Sequence, residues 1–470
     1  MVPEKNDTIV SPGIARGFFV LEHGKKVFIM KFNEFNFHPD VAAGVAGAGF
    51  VTPTPIQVQA IPKVMQGCDV MGLAQTGTGK TAVFALPILN RLMQGGRGCV
   101  RALVIAPTRE LAEQIHQAIE SLGRHTGLRS VAIYGGVSIN PQIKKLKQGV
   151  EIVVACPGRF LDHIGRGTVN LGRLEMLVLD EADQMFDMGF LPDIRRILGH
   201  LPRNRQTLLF SATMPDQIRG LAKDILRNPV TVQVGTTAPA TTVSHALYPV
   251  APHLKSALLL KLLHQGDTGS VLVFTRTKHR AKRLGEQLVR SGYRSTSLQG
   301  NLSQGRRQAA LDGFRDGTYQ VLVATDIAAR GIDVSRISRV INYDMPATPD
   351  AYIHRIGRTG RADCSGDAFT LITDDDIQMA QAIDRILGSR TERRILADFD
   401  YDVREPLKSE THARPSKRPV PARKPFGMKE GGNKQDAPSF GRRRPQPGHG
   451  LSRAASAPSA GRYNPARRVR

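Results

Sequence analysis

The chain is 470 residues long and carries 65 Lys and Arg against 41 Asp and Glu, a net charge of +24. At roughly 100–200 residues per domain, that length predicts two or three folded units and excludes a small disulfide scaffold. Such basicity predicts a polyanionic partner, nucleic acid first and an anionic membrane surface second.

The charge is unevenly placed. Arg404 to Arg470 hold 17 basic and 4 acidic residues, so +13 lies in the last 67 positions and +11 in the preceding 403. Cys68, Cys99, Cys156 and Cys364 form no C-x-x-C pair, which predicts free thiols and no zinc site. No apolar run approaches the ~18 residues of a membrane span. The expectation is a cytoplasmic protein with no membrane association.

Residues 1–31 show no clear period and read as an N-terminal extension, expected to be disordered. From 32 to 234 short apolar runs alternate with helical stretches. The pattern predicts strands at 69–73, 102–106, 131–134, 152–155, 176–179 and 207–210. Each is nearly continuous in apolar residues, as parallel strands covered on both faces must be. Helical spacing at 109–122 and 191–198 makes these repeated βαβ units of a doubly wound sheet, in which ligands bind beyond the carboxyl ends of the strands. Residues 235–242 lack apolar periodicity and read as a linker.

A second series follows over 243–403, with strands predicted at 271–274, 296–298, 321–324, 340–343 and 368–372 and a helix at 377–387. The fold class is therefore α/β, with two tandem domains. The run Asp374–Asp376 reads as helix-capping carboxylates rather than a metal site. Residues 404–470 contain ten prolines but only four Leu, Ile or Val residues. Such a segment buries too little apolar surface to offset chain entropy and is expected to be a disordered basic tail.

The sharpest local signal is Ala74-Gln75-Thr76-Gly77-Thr78-Gly79-Lys80-Thr81, between a predicted strand and a helical run. Gly77 and Gly79 let backbone N–H groups approach phosphate oxygens, Lys80 reaches the β- and γ-phosphates, and the Thr81 hydroxyl can hold Mg²⁺. The general pattern opens with Gly where this chain has Ala74. A hundred residues on, the apolar run 176–179 ends at Asp180-Glu181-Ala182-Asp183. Asp180 is placed to complete a Mg²⁺ shell, and Glu181 to orient and deprotonate water, as a hydrolase requires.

These motifs resemble those of the DEAD-box ATP-dependent RNA helicases, over about residues 32 to 387. The resemblance implies two tandem RecA-like domains, ATP and Mg²⁺ as cofactors, and RNA as partner. Phe32 and the segment 49–57 resemble the Q motif, so Gln57 is expected to read the adenine edge and Phe32 to stack on it. Thr108 and Arg109, Gly135 and Gly136, and Pro157, Gly158 and Arg159 match RNA-facing motifs. Cys156 stands where the family has Thr, and a thiol is a poor hydrogen-bond partner. Asp183, Ser211, Thr213 and His354 match residues that couple hydrolysis to strand separation. In the second domain the resemblance implies RNA contacts by Arg276, Gln304, Arg307 and Thr325, a ribose contact by Asp333, and arginine fingers at Arg358 and Arg361. Within the family the core looks most like the bacterial RhlE-type enzymes, partly from Asp187-Met-Gly-Phe190.

A finger supplied from a second domain makes catalysis depend on domain closure. ATP and single-stranded RNA are then expected to favour the same closed form and to raise each other's affinity. Bending one strand by three or four base-pair steps costs ~4–6 kcal/mol at ~1.4 kcal/mol per step, which differential binding can supply. The alternatives are an RNA annealer or clamp built on an ATPase core, and a DNA translocase. Ribosome assembly, messenger decay and cold adaptation all suit such a core. Ribosomal-precursor or RNA-degradation proteins are therefore candidate partners of a core expected to be monomeric.

The tail generates a prediction. If seven or more of its cations meet phosphates, RNA affinity falls about 10³-fold or more between 50 and 200 mM salt. Truncation after Tyr401 is expected to flatten that slope, read by filter binding, and to spare ATP turnover at saturating RNA. An unchanged slope rules out tethering by the tail.

Overall fold

The computed structural model describes residues 18–22, 25–75, 77–234, 243–265, 269–329, 337–360 and 365–404, with backbone alone for those before 30. Thr76, Asp333, Arg361, Cys364, the linker at 235–242 and the basic tail from 405 onward lie outside the described residues.

Strands β1 (Phe18–Glu22) and β2 (Lys25–Ile29) pair antiparallel as a hairpin. This corrects the expectation of an extension without structure. Both are runs rich in Phe, Val and Ile, residue types that suit a pleated surface.

The first large sheet contains β3 (Val70–Leu73), β4 (Ala102–Ile105), β5 (Ser130–Ile133), β6 (Ile152–Ala155), β7 (Met176–Leu179), β8 (Gln206–Ser211) and β9 (Val230–Gln233). Its order is β5-β6-β4-β7-β8-β3-β9, all neighbours parallel. The second contains β10 (Val243–Pro249), β11 (Ser270–Phe274), β12 (Ser295–Leu298), β13 (Val321–Ala324), β14 (Ile337–Asn342), β15 (Gly366–Ile372) and β16 (Glu392–Arg393). Its order, β12-β13-β11-β14-β15-β10-β16, is the first order with every label raised by seven, and it too is parallel throughout.

The expected pair of doubly wound sheets is therefore present, with three further strands. β9 alternates Val with polar residues, β10 begins Val-Ser-His before its apolar half, and β16 is Glu-Arg. None of the three is apolar along its whole length. Helix Ile377–Leu387 forms where the spacing predicts it. Asp376 acts as a capping residue of the short turn before it, accepting from the backbone N–H and hydroxyl of Thr373 at 3.0 and 2.8 Å.

Period-two burial builds the cores. Along β7, Met176 and Val178 enter one apolar cluster while Leu177 and Leu179 enter the cluster on the opposite face. Along β11, Val271 and Val273 face one way and Leu272 and Phe274 the other. Continuous apolar sequence is thus the signature of helices on both faces. Because β7, β8 and β3 are neighbours, the loops leaving Leu179, Ser211 and Leu73 emerge side by side.

Gly72 lies opposite Phe210 in the β3–β8 ladder. A Cβ at Gly72 would collide with the fully buried Phe210 ring, which also packs on Phe84 with centroids 5.6 Å apart. Gly72→Val is expected to cost about 1–3 kcal/mol through overpacking, read as a lower urea midpoint. An unchanged midpoint would mean that Phe210 has room to move.

Candidate functional site

The loop after β3 turns through two left-handed glycines, Gly77 (φ +88°) and Gly79 (φ +90°), a region that L side chains avoid. Helix Lys80–Leu92 begins directly after it, with Gly79 as an N-cap lacking any side-chain bond. Its first N–H groups are thus turned toward the loop, the arrangement that favours anions at helix starts. The Lys80 ammonium is buried and donates to the Ala74 carbonyl at 2.8 Å, while the Thr78 hydroxyl donates to the Gln75 carbonyl at 2.9 Å. This glycine-lined cradle fits a phosphate chain. Thr81 and Asp180 supply the hydroxyl and carboxylate oxygens that suit a hard cation such as Mg²⁺.

Gln57 and Phe32, expected to read and stack on adenine, both have protein partners. Gln57 is 1% exposed; its Oε1 accepts from the Thr54 N–H at 2.8 Å and its Nε2 donates to the Gly79 carbonyl at 3.1 Å. The amide therefore ties helix Pro55–Met65 to the phosphate loop. Thr54, absent from the sequence reading, donates from its hydroxyl to the Thr78 carbonyl at 2.8 Å. The signal for it was present, since Thr54-x-x-Gln57 is a capping-box pattern. Phe32, 5% exposed, packs edge-on against Phe35 and Phe50 with centroids 5.7 and 5.4 Å apart. It braces the segment and offers little free stacking face.

Beyond β7 three carboxylates lie close together and buried: Asp180, Glu181 and Asp183. Glu181 has a left-handed backbone (φ +54°), and its N–H donates to Asp180 Oδ1 at 3.0 Å. Burial, then the neighbouring Asp180 charge, pushes the Glu181 carboxyl up to about 7 against the opposing pull of Arg358 and Lys80. Asp180 is likewise raised, mainly by burial and against the pull of Lys80. Asp183 Oδ2 accepts from the N–H groups of Ala212 and Thr213 at 3.0 and 2.8 Å and from the Thr213 hydroxyl at 3.1 Å. Its own N–H donates to Ser211 Oγ at 3.2 Å. The loops after β7 and β8 are thereby one hydrogen-bonded unit.

The second sheet completes this cluster. His354, on helix Pro349–Ile356, places Nε2 3.7 Å from Asp183 Oδ2. Arg358, two residues past that helix, is buried within electrostatic reach of Glu181. Arg355, which the sequence reading passed over, pairs with Asp326 through two nitrogens at 2.5 and 2.7 Å and lies over the Phe274 ring at 5.0 Å. It locks the helix bearing His354 onto the ends of β11 and β13.

A separate cleft of about 340 Å³ brings together Thr108, Arg109, Gly135, Gly158, Arg159 and Arg307. The Arg109 guanidinium lies where a Cβ at Gly136 would be, so only glycine (φ +79°) permits the approach. Arg159 donates from both terminal nitrogens to the Val137 carbonyl at 3.1 Å. The Thr108 hydroxyl accepts from the Leu111 N–H at 3.2 Å, capping helix Arg109–Leu122. Arg307 and Gln304 are turned toward Glu110: the Arg307 Nε to Glu110 Oε1 distance is 2.6 Å, and Gln304 Nε2 donates to the same oxygen at 3.4 Å. Thr108, Arg307 and Gln304 thus have protein partners where the sequence reading gave them RNA. Pro157 opens helix Pro157–Gly165 beside the cleft, and Thr325 follows β13. Arg276 lines a different cleft altogether.

Residues 54–221 match the family described as DEAD/DEAH box helicase, and residues 254–363 match the helicase conserved C-terminal domain. The DEAD-box ATP-dependent RNA helicase RhpA of Helicobacter pylori is 45% identical over 73% of this chain and 69% of its own. The DEAD-box ATP-dependent RNA helicase CshA of Geobacillus kaustophilus is 43% identical over 77% and 78%. Among solved structures, S. cerevisiae Dbp5 bound to RNA and ADP BeF3 aligns over 77% of this chain and 95% of its own, with 31% identity and a TM-score of 0.70.

Cys156 caps helix Pro157–Gly165 with extended backbone (φ −87°, ψ 140°) but makes no side-chain cap bond. Burial, then the Glu110 charge, pushes its thiol up to about 12 despite Arg109. At pH 8 about one thiol in 10⁴ is then ionised, and the thiolate is the reactive form. Iodoacetamide is expected to label the half-buried Cys68 and Cys99 first, with Cys156 the slowest of the three by peptide mass spectrometry. Equal rates would show that the helix opens.

Proposed function

Because the chain belongs to the DEAD-box ATP-dependent RNA helicases, we propose a residue-level account of how it couples ATP hydrolysis to opening short RNA duplexes or remodelling RNA–protein complexes. The observation that carries it is the burial of Glu181 between Lys80 and Asp180 of the first sheet and Arg358 of the second.

In this account the phosphate loop and Lys80 hold the triphosphate, and the Glu181 carboxylate takes a proton from the water that attacks the γ-phosphorus, releasing ADP and phosphate. Arg358 faces the charge that develops on the transferred group, with Arg361 assigned beside it from the motif alone. Thr81 and Asp180 would hold Mg²⁺, which would neutralise charge on the phosphate oxygens. Asp183 links the loop after β8 to His354, so the state of the nucleotide is felt where the two sheets meet.

RNA enters the same account through the cleft that Arg109 and Arg159 line. The Glu110–Arg307 ion pair spans the two sheets within that cleft, so a strand bound there contacts both. A nucleotide and an RNA strand that each prefer the apposed sheets raise one another's affinity by linkage. The bacterial relatives support a cytoplasmic setting.

Glu181→Gln keeps the shape of the site and removes the base. Turnover is expected to fall by about 10²–10⁴-fold, with ATP and RNA binding retained in equilibrium assays. Strand displacement on matched RNA and DNA duplexes, with ATP against a non-hydrolysable analogue, tests the whole. Preference for RNA and dependence on hydrolysable ATP are expected. Wild-type phosphate release by Glu181→Gln would sink the assignment of the base, and equal opening of DNA would favour a translocase.

A further inference from the structure

The shared strand order gives every place on the first sheet a counterpart on the second, with β10 standing for β3 and β14 for β7. The residues at those places correspond. Lys80-Thr81 open the helix after β3, and Lys255-Ser256 open helix Lys255–His264 after β10. Asp180 directly follows β7, and Asp344 lies two residues past β14. The lysines are 6% and 7% exposed, and each rests its ammonium on backbone carbonyls near strand ends: Lys80 on Ala74, Lys255 on Tyr343 and Leu371 at 3.3 and 3.1 Å.

Over Lys255, Ser256 and Asp344 opens a cleft of about 660 Å³, within the roughly 300–1,000 Å³ of small-molecule sites. Its chemistry differs from that of the first sheet in two respects. The connection from β10 is Val250-Ala251-Pro252-His253-Leu254, which has no glycine and forms no backbone cradle. Asp344 is already engaged by a cation, accepting from Arg280 Nη1 at 2.5 Å and from the Arg276 N–H at 2.8 Å.

Charge on the rim is also distinctive. Arg276 and Arg283 line the cleft, are exposed, and have no ion-pair partner among the described residues. Helix Lys278–Arg290 carries Lys278 and Arg280 in its first turn and no acid there, where the helix dipole favours negative charge. Across the cleft, Asp376 lies 3.9 Å from Lys255 and is engaged by Thr373. The exposed Asp375 also lines the cleft, so among the described residues the unpaired charges of the rim are two arginines against one carboxylate, a positive balance.

We propose that this cleft binds a phosphate oxyanion without a metal ion, held by Lys255, Arg276, Arg280 and Arg283. The anion is part of a free polyphosphate chain. The correspondence between the sheets rests on reading Lys80 and Thr81 as the phosphate site of the first; failure of that reading would appear separately, as ATP turnover surviving Lys80→Ala.

The test uses the full chain carrying Lys80→Ala and inorganic tripolyphosphate, with hydrogen exchange read by mass spectrometry. Slowed exchange is expected in peptides covering 275–281 and 343–346. Adding Arg283→Glu, an exposed position that leaves the core intact, is expected to remove it. No protection, or protection that persists with Arg283→Glu, overturns the site. A single-stranded RNA 20-mer identifies the source. Protection of the same peptides by RNA that tripolyphosphate reverses returns the cleft to the RNA contact the family resemblance implies for Arg276 and overturns the proposal, and absence of RNA protection supports polyphosphate.

Discussion

Three carboxylates, Asp180, Glu181 and Asp183, are buried within four residues at the carboxyl end of β7. Like charges held out of water at that spacing raise one another's free energy unless cations or N–H donors face them. The first sheet supplies Lys80 and the N–H groups of Ala212 and Thr213. The second supplies Arg358 and His354. Apposition of the two sheets is therefore tied to the electrostatics of one strand end. In the proposed account the same groups serve hydrolysis, so a chemical step at a γ-phosphate would bear on how the two sheets are apposed.

The buried pair Glu110–Arg307 plays the corresponding part in the other cleft. A guanidinium between a protein carboxylate and a bound polyanion has two possible partners, and removing either from a desolvated site is expensive. Gln304 shares the same carboxylate oxygen, so this corner of the cleft is organised before any strand enters it. Arg355 does similar work behind His354, where its pairing with Asp326 and its position over Phe274 fix the helix that delivers the second sheet's side chains. The charged groups to which the proposed account assigns catalysis and binding thus have partners that are mostly other parts of the protein.

Repetition of one strand order explains much of the remaining architecture. Each sheet presents a row of loops at its carboxyl edge, and those loops differ between the two sheets. Around Lys80 stand the left-handed glycines Gly77 and Gly79. Around Lys255 stand a proline in the connection and a guanidinium on the acid. The two edges therefore offer different chemistry on the same scaffold.

Sequence alone determined the alternation of apolar strands and amphipathic helices, the glycine loop, the acid at the end of β7 and the order of motifs, because each is local and leaves its mark on consecutive residues. It missed β9, β10 and β16, whose mixed composition makes sense only beside their neighbours, and the hairpin of β1 and β2. It assigned roles to Gln57, Phe32, Thr108 and Arg307 from residue type. The structure gave each a partner far from it in the chain, near it in space, or both: Gln57 bridges Thr54 and Gly79, Phe32 packs on Phe50, Thr108 caps its own helix and Arg307 meets Glu110. A side chain's type fixes what it can bond, but which bond it makes depends on competition among all the groups that folding brings within a few ångströms. Only the tertiary structure decides that.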